Sequence, residues 1–250
     1  MTAPGQVRGQ ASNRWPLTYR AVPVPYVVAW STEGATDVAS GQLALRSEAF
    51  TGRWQVRYRD EQPTDRDRHG ILWHRVAWAP GQGEPLYAEI HTLRQRRALS
   101  RALCQICAGT AQIWMTPALL WDQHLAEHGP AAPYLTNDPP VCRPCAAMAA
   151  RHCPELIRGR IYLSPRAWAI TGVRGQLADP TGGGFTHPRI LALPTATSTP
   201  DRATLGLMLA KGLVATLYNP VPHTDPSAAT GLGTRIDLPV SMLRPGGEGR

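Results

Sequence analysis

Two short cysteine motifs decide the fold of this chain: Cys104-Gln-Ile-Cys107-Ala-Gly109 and Cys142-Arg-Pro-Cys145, with 34 residues between Cys107 and Cys142. Paired Cys-x-x-Cys motifs at such a separation are typical of the four thiolate ligands of a tetrahedral zinc ion. We therefore predict that Cys104, Cys107, Cys142 and Cys145 bind one Zn²⁺. Because four thiolates leave no open position for substrate or water, the predicted zinc is structural. The alternative is a set of buried or redox-active cysteines that bind no metal.

The residues around the motifs predict how each pair is presented to the metal. Gly109 allows the chain to double back after Cys107. The Ala-rich run after Cys145 favours a helix, whose positive N-terminal end stabilises the thiolates of the second pair. A knuckle, an intervening hairpin and a helix carrying the second pair are typical of a treble-clef zinc finger. A fifth cysteine, Cys153, lies about two helical turns beyond Cys145, and we expect it not to bind the metal.

The charge of the chain is unusual because almost all of its positive part comes from arginine. The 250 residues carry a net charge of +8, and 25 of the 26 basic residues are arginine, Lys211 being the single lysine. A basic protein is drawn to nucleic acid. An arginine excess in an Ala-, Gly- and Pro-rich chain also follows from codon bias in a GC-rich genome. DNA, RNA and a protein partner are therefore all open as partners, and the sequence does not determine the oligomeric state.

Cysteine usage and hydropathy bear on location. Five cysteines, four of them in pairs, suit a reducing compartment better than a secreted disulfide framework. The N-terminus has no apolar stretch behind a basic start, so it does not resemble a signal peptide. The longest apolar run, over residues 22–30, is about half the length needed to cross a bilayer. We expect a cytoplasmic protein without a membrane partner.

Composition and periodicity predict an α+β fold with small antiparallel sheets around a central four-cysteine zinc module. The predicted segments are a disordered lead-in over 1–20, a strand-rich part ending in a basic helix over 21–103, the zinc module over 104–153, short strands with a C-terminal amphipathic helix over 154–218, and a mostly loose tail over 219–250. The hydrophobic fraction of 43% is typical of a globular chain and not of a disordered one.

Local patterns predict individual elements. Strands are expected over 26–30, 50–58, 71–78, 159–165, 167–173 and 189–194. Pro85 suits the first turn of a helix that runs to about Leu103. A second helix is expected over 198–218, with an apolar stripe at helical spacing. That stripe consists of Leu205, Met208, Leu209, Leu213 and Leu217.

The first of these helices carries a candidate nucleic-acid interface. Arg94, Arg97 and Arg101 lie within one sector of it, as expected for a basic strip that faces phosphate. The alternative is a solvated helix face, on which the helix dipole favours arginines near the C-terminal end.

The region between the cysteine pairs resembles the HNH nucleases, many of which frame their active site with two Cys-x-x-Cys pairs. Asn137, five residues before Cys142, matches the Asn of that family, and His124 in Trp121-Asp-Gln-His124 stands near the place of its Asp-His pair. The resemblance implies a metal-dependent nuclease that uses His124 and Asn137. The chain departs from the family at Ala146, where the helix His would follow the last cysteine, and this departure argues against nuclease activity.

A longer resemblance, over about residues 94–162, is to uncharacterised tetracysteine proteins of actinobacteria and their mobile elements. The matching residues are Cys104-Gln-Ile-Cys107, Trp114, Trp121, Pro139 to Ala146, and Cys153-Pro-Glu-Leu156. Ala108 departs from that group, because it pushes the knuckle glycine one place on. The resemblance implies zinc binding and assigns no activity. We therefore expect a zinc-stabilised, non-catalytic protein that contacts nucleic acid or a protein partner. The alternatives are a degenerate HNH-derived nuclease and an enzyme of unknown type with structural zinc, whose site would lie in the strand-rich part near Trp30, Trp54 or Trp73.

Overall fold

The computed structural model describes residues 15–34, 42–49, 51–193 and 202–237. Its strands are β1 (Leu17–Tyr19), β2 (Val22–Val24), β3 (Val28–Trp30), β4 (Leu43–Ser47), β5 (Trp54–Tyr58), β6 (Leu72–Trp73), β7 (Pro85–Ile90), β8 (Trp114–Pro117), β9 (Tyr134–Thr136), β10 (Arg160–Ser164), β11 (Ala167–Leu177), β12 (Arg189–Ala192), β13 (Met208–Tyr218), β14 (Val221–His223) and β15 (Thr234–Arg235). Its helices are α1 (Thr92–Ser100), α2 (Ala118–His128), α3 (Arg143–His152), α4 (Pro154–Arg158) and α5 (Arg202–Gly206).

The largest sheet is built on two long antiparallel neighbours, β11 and β13. β12 flanks β11, β6 flanks β13, and the short strands β15 and β9 add pairings to β11 and β13. The pairings of β13 with β6 and of β11 with β15 are parallel, whereas the other described pairings are antiparallel. The structure confirms the predicted fold class in outline: it has small, mostly antiparallel sheets and few helices.

The predicted helix over 198–218 is wrong. Residues 194–201 lie outside the described residues, α5 covers only Arg202–Gly206, and Met208–Tyr218 is a strand. The predicted stripe includes leucines at 209, 213 and 217, and a spacing of four residues fits one face of a helix and one face of a strand equally well. The surrounding run is almost continuously apolar and buried on both faces, as in a central strand.

The predicted helix over 85–103 begins later than expected. Pro85–Ile90 is strand β7, which pairs with β3, and the helix covers only Thr92–Ser100. Proline is tolerated at the first residue of a strand, so Pro85 is compatible with this assignment. The change from strand to helix falls at His91, whose Nδ1 accepts a hydrogen bond from the Arg94 amide at 3.3 Å and caps the helix.

Short strands occur within the segments predicted as the lead-in and the tail. Residues 1–14 and 238–250 lie outside the described residues, but Leu17–Tyr19 forms a hairpin with Val22–Val24. In the tail, β14 extends the small sheet of β8 and β10, and β15 joins β11. The Trp114 indole donates a hydrogen bond to the carbonyl of Leu232 at 3.2 Å, so the tail packs against the region of the cysteine motifs.

The segment between the two cysteine motifs is not the predicted hairpin. β8 pairs with β10 and β9 pairs with β13, with α2 between them in the sequence. Each of these short strands is therefore recruited by a strand from outside the segment. Isolated bridges join Leu103 to Thr110 and Ile113 to Val141. Of the predicted treble-clef parts, the knuckle and the helix carrying the second pair are present.

Candidate functional site

The four predicted metal ligands form one cluster. The sulfur atoms of Cys104, Cys107, Cys142 and Cys145 all lie within 4.8 Å of one another. The sulfurs of Cys107 and Cys142 are 3.8 Å apart. A disulfide would need about 2.05 Å, whereas a tetrahedron with metal–sulfur bonds of about 2.3 Å has sulfurs about 3.8 Å apart. The cluster can therefore hold one tetrahedral metal ion.

The first pair lies in a tight loop closed by backbone hydrogen bonds. The amide of Cys104 donates to the carbonyl of Gly109 at 2.7 Å, and the amide of Ala108 donates to the carbonyl of Cys104 at 2.9 Å. The left-handed residue of the loop is Ala108, with a φ of 58°, so the chain reverses one residue earlier than predicted. Gly109 leaves room for a ligand instead, because a Cβ there would lie 3.4 Å from the sulfur of Cys107.

The second pair stands at the start of α3, as predicted. Cys142 is the N-cap residue and Cys145 lies in the first helical turn, where the amide of Ala146 donates to the carbonyl of Cys142 at 2.9 Å. The partial positive charge of a helix N-terminus favours thiolates at this place. The Arg143 side chain fixes the helix start by donating to the carbonyls of Pro226 and Ala229, at 3.3 and 2.7 Å.

The thiols of the cluster differ in how readily they ionise. Burial raises the pKa of Cys104 to about 11, and burial together with the neighbouring thiols also raises the pKa of Cys145. Burial acts in the same direction on Cys107, but the Gly109 amide and the neighbouring thiols outweigh it, so the pKa of Cys107 is lowered. The thiols therefore do not all ionise easily beside one another. A divalent cation among them is the partner that stabilises four thiolates.

An apolar core packs against the cluster. Its buried members include Ile106, Ile113, Met115, Val141, Leu156 and Tyr162. Cys153 packs against this core as a partly buried side chain and is not among the four clustered sulfurs. The loop and the helix start are thus held together by apolar packing as well as by any bound metal.

The residues of the nuclease alternative lie in different surroundings. His124 is buried on α2, where its ring lies 5.4 Å from that of Trp121 and 5.1 Å from that of Tyr134. Its Nε2 has no hydrogen-bond partner among the described residues. Asn137 lines a cavity beside β11 and β13, and His124 is not one of the residues that line this cavity. Ala146, at the place of the helix His, is fully buried.

Arg94 does not belong to an exposed strip, which corrects the prediction for this residue. It is fully buried, and each terminal nitrogen donates to a carboxylate oxygen of Glu33 at 2.6 Å. One of these nitrogens also donates to the carbonyl of Val28 at 2.6 Å. The rings of Trp15 and Trp78 lie 5.5 and 5.4 Å from the guanidinium. Helical spacing alone could not show that Arg94 faces a buried carboxylate while Arg97 and Arg101 face solvent.

The other two predicted arginines, Arg97 and Arg101, are exposed and line a surface groove of about 1010 Å³. We call it the arginine groove. Its charged lining consists of Arg68, Arg96, Arg97, Arg101, Arg235, Asp67 and Asp237. The groove thus has a surplus of three positive charges. Local sequence patterns do not identify it, because Arg68 and Arg235 lie far from α1 in the sequence.

Aromatic rings and backbone contacts position two of the groove arginines. The guanidinium of Arg96 lies 3.8 Å from the ring centre of Trp73, whose indole donates to Asp67 at 3.0 Å. Arg235 lies over the ring of Trp168 at 5.2 Å and donates to the carbonyl of Ser100 at the end of α1. Such contacts restrict the two side chains and keep their charges at the wall of the groove.

Comparison of the chain with protein-family models, curated proteins and solved structures gave no match in any of the three searches. Among the described residues, no helix has the length and apolar character that crossing a membrane requires. The function is therefore argued from the cysteine cluster and the arginine groove.

Proposed function

We propose that this chain is a zinc-stabilised nucleic-acid-binding protein whose arginine groove contacts the phosphate backbone. The observation that carries the proposal is the collection of five arginines from separate parts of the chain around one concave surface. Arginine presents a planar fork of donors that matches phosphate oxygens, and phosphate contacts supply most of the affinity in sequence-independent binding. The groove supplies both the shape and the charge for such contacts.

The proposed ion is zinc in a structural role. Tetrahedral sets of four cysteine sulfurs are typical of structural zinc, and the four sulfurs here leave no ligand position for a reacting water. We therefore propose that the zinc site is not catalytic. We assign it to the cytoplasm, because a reducing compartment keeps four thiols available for a metal.

The cysteine cluster supports the groove through α1. Arg97 and Arg101 lie at the C-terminal end of this helix, and the chain passes directly from there to Cys104. The amide of Leu103 donates to the carbonyl of Ala98 at 2.8 Å and fixes this passage. A metal ion that holds Cys104 therefore also restrains the part of α1 that carries the groove arginines.

The lining of the groove favours nucleic acid over a protein partner. Protein–protein interfaces are depleted in charged residues at their centre and depend on apolar or aromatic anchors. Here seven of the fifteen lining residues are charged, and the large aromatic ring of the lining, Trp73, is buried beneath Arg96. A partner with regularly spaced negative charges matches this arrangement better.

Binding of a labelled 20-nucleotide single strand and of the corresponding duplex, in DNA and RNA form, tests the proposal across 50–200 mM salt. We expect salt-dependent binding of at least one of these probes. The double variant Arg97→Ala/Arg101→Ala should weaken it by about tenfold or more at low salt and should reduce the salt slope by about two contacts.

The matched control is Arg151→Ala/Arg158→Ala, which removes the same charge from exposed side chains on α3 and α4. It should change the affinity by less than about threefold, the residual long-range effect of net charge. Absence of binding at 50 mM salt, or equal losses in the two double variants, contradicts the proposal.

A further inference from the structure

A second cavity, of about 450 Å³, lies on the largest sheet beside β13. Its polar side chains come from separate elements: His74, Glu89, Asn137, Arg174, Gln176 and Lys211. The volume lies within the roughly 300–1,000 Å³ range of small-molecule sites. We call it the lysine pocket. Its lining does not overlap with that of the arginine groove.

Lys211 distinguishes this pocket from the rest of the molecule. It is the single lysine in a chain with 25 arginines, so the composition bias that favours arginine elsewhere does not account for the residue here. Lysine differs from arginine in presenting a compact point charge on a flexible stem. At this position the compact ammonium lies against the carboxylate of Glu89 on β7, a strand that pairs with β3 in another sheet.

The backbone at Lys211 is irregular in a way that re-aims its side chain. Arg174 of β11 is paired with Gly212, and the next residue of β11, Gly175, is paired with Ala210. Lys211 is therefore an extra residue in β13, which makes it part of a β-bulge. Bulges turn a side chain away from the regular alternation of a strand and are over-represented next to functional sites.

Arg174 supplies a second positive charge, and no carboxylate among the described residues contacts it directly. Its guanidinium makes no hydrogen bond or ion pair with the described residues, although it lies on β11 opposite the bulge. The nearby acid is Asp138, whose pKa is raised by burial, with Arg174 acting in the opposite direction. Lys211 and Glu89 neutralise each other, so among the residues that line the pocket one positive charge remains, on Arg174.

We propose that the lysine pocket binds a small organic anion, whose carboxylate or phosphate group contacts the guanidinium of Arg174 and the ammonium of Lys211. Planar guanidinium groups bind either anion in bidentate fashion. The side chains of Asn137 and Gln176 supply neutral donors and acceptors for the remainder of the ligand. This proposal does not depend on nucleic-acid binding at the arginine groove.

The single lysine makes a direct test practicable. Selective ¹⁵N-lysine labelling of the full chain gives one backbone amide signal, that of Lys211 in the bulge. The probes are inorganic phosphate and acetate, each titrated at constant ionic strength maintained with sodium chloride. A saturable shift of the signal is expected for at least one probe, and the probe that saturates identifies the anionic group.

Two variants in the pocket should change the affinity in opposite directions. Arg174→Gln should weaken binding by about tenfold or more, because a charge-assisted contact is lost. Glu89→Gln should tighten binding several-fold, because Lys211 loses the carboxylate that competes with the ligand. Arg158→Gln, a single-charge change on α4, should leave the saturation curve unchanged. Linear shifts with both probes, or equal curves for wild type and Arg174→Gln, overturn the proposal.

Discussion

Two buried polar centres in this molecule are satisfied in different ways. In the ionic centre, defined as Glu33, His91 and Arg94, the carboxylate and the guanidinium share two hydrogen bonds of 2.6 Å. The carboxylate also accepts from the amides of Trp30 and Ala79 at 2.9 and 3.0 Å. In the cysteine centre, defined as the four clustered sulfurs, the groups that face one another are all thiols. The ionic centre has its opposite charge within the chain, whereas the cysteine centre would, in our account, take it from solution as a metal ion.

The comparison shows how one helix depends on both kinds of stabilisation. Arg94 lies in the first turn of α1, and Cys104 follows shortly after its last residue, Ser100. The start of the helix is therefore fixed by an ion pair that forms on folding. Its end is fixed, in our account, by a metal ion that the protein must bind from solution. Changes at the two centres should consequently differ in size and in their dependence on zinc.

The largest effect is expected at the cysteine centre. Cys107→Ser or Cys142→Ser should release the metal and unfold at least residues 104–153, since zinc binding in such modules supplies about 10–16 kcal/mol of apparent free energy. Metal analysis measures the release of the ion, and limited proteolysis measures the unfolding of the segment. Cys153→Ser is the matched control and should keep both the metal and the protease resistance. Retention of the metal in either ligand variant would argue against the four-sulfur site.

A smaller loss is expected at the ionic centre. Arg94→Met leaves the Glu33 carboxylate buried without its partner and should lower the free energy of unfolding by about 3–5 kcal/mol. The double variant Glu33→Gln/Arg94→Met removes the unpaired charge and should recover part of that loss. Urea denaturation in excess zinc measures both values. Both variants should still bind the metal, so loss of zinc from Arg94→Met would show that the two centres are not separate.

The ionic centre should also give the protein a pH dependence that zinc does not produce. Burial lowers the pKa of His91 below its usual 6.5, and the charge of Arg94 adds to this effect. The unfolded chain therefore binds more protons than the folded chain as the pH falls below about 6.5, so the free energy of unfolding should decrease there. For Glu33, burial raises the pKa, but the bonds from Arg94 and the Trp30 amide outweigh it. Its lowered pKa adds a second decrease below about pH 4.5.

Substitution of the histidine separates this contribution from others. His91→Ala removes the cap of α1 and should cost about 1 kcal/mol at pH 7. It should also flatten the decrease in stability between pH 6.5 and 5. His128→Ala, at an exposed histidine, should change neither quantity. Denaturation curves at several pH values in excess zinc provide the measurement, and an unchanged slope in His91→Ala would contradict this role.

The smallest effect is expected in the loop of the first cysteine pair. Ala108 has a left-handed backbone, a conformation that costs an L-residue about 1 kcal/mol. Ala108→Gly should therefore stabilise the zinc-loaded protein by up to about 1 kcal/mol, minus the added entropy of the unfolded chain. Gly109→Ala should not stabilise it, because the new Cβ would lie close to the sulfur of Cys107. Thermal unfolding in the presence of zinc measures both effects: the melting temperature should rise in Ala108→Gly and should not rise in Gly109→Ala.

The cysteine centre was predictable from the sequence because short local motifs determine where its sulfurs lie. Each Cys-x-x-Cys pair fixes two sulfurs through a short backbone loop, and the Ala-rich run correctly predicts the helix after Cys142. The strand pairing of the segment between the motifs was not predictable in this way, and the expected hairpin is absent from it. The partners of β8 and β9 are β10 and β13, and only long-range pairing decides that choice.

The errors elsewhere share a physical cause. The leucines at 209, 213 and 217 fit one face of a helix and one face of a strand equally well. The segment forms strand β13 because its side chains are buried on both faces of the sheet. Arg94 and Arg97 are close neighbours on one helix, yet one is buried against Glu33 and the other is exposed. The partner of Arg94 lies 61 positions away in the sequence, beyond the reach of any local pattern.

The claim that a metal ion supplies the missing charge of the cysteine centre is the most direct one to test. X-ray absorption at the zinc edge, combined with metal analysis of the purified full-length protein, measures the identity, the number and the ligands of the ion. We expect one zinc per chain with four sulfur neighbours at about 2.3 Å. Folded protein without metal, or zinc with nitrogen or oxygen neighbours in place of sulfur, would contradict this account.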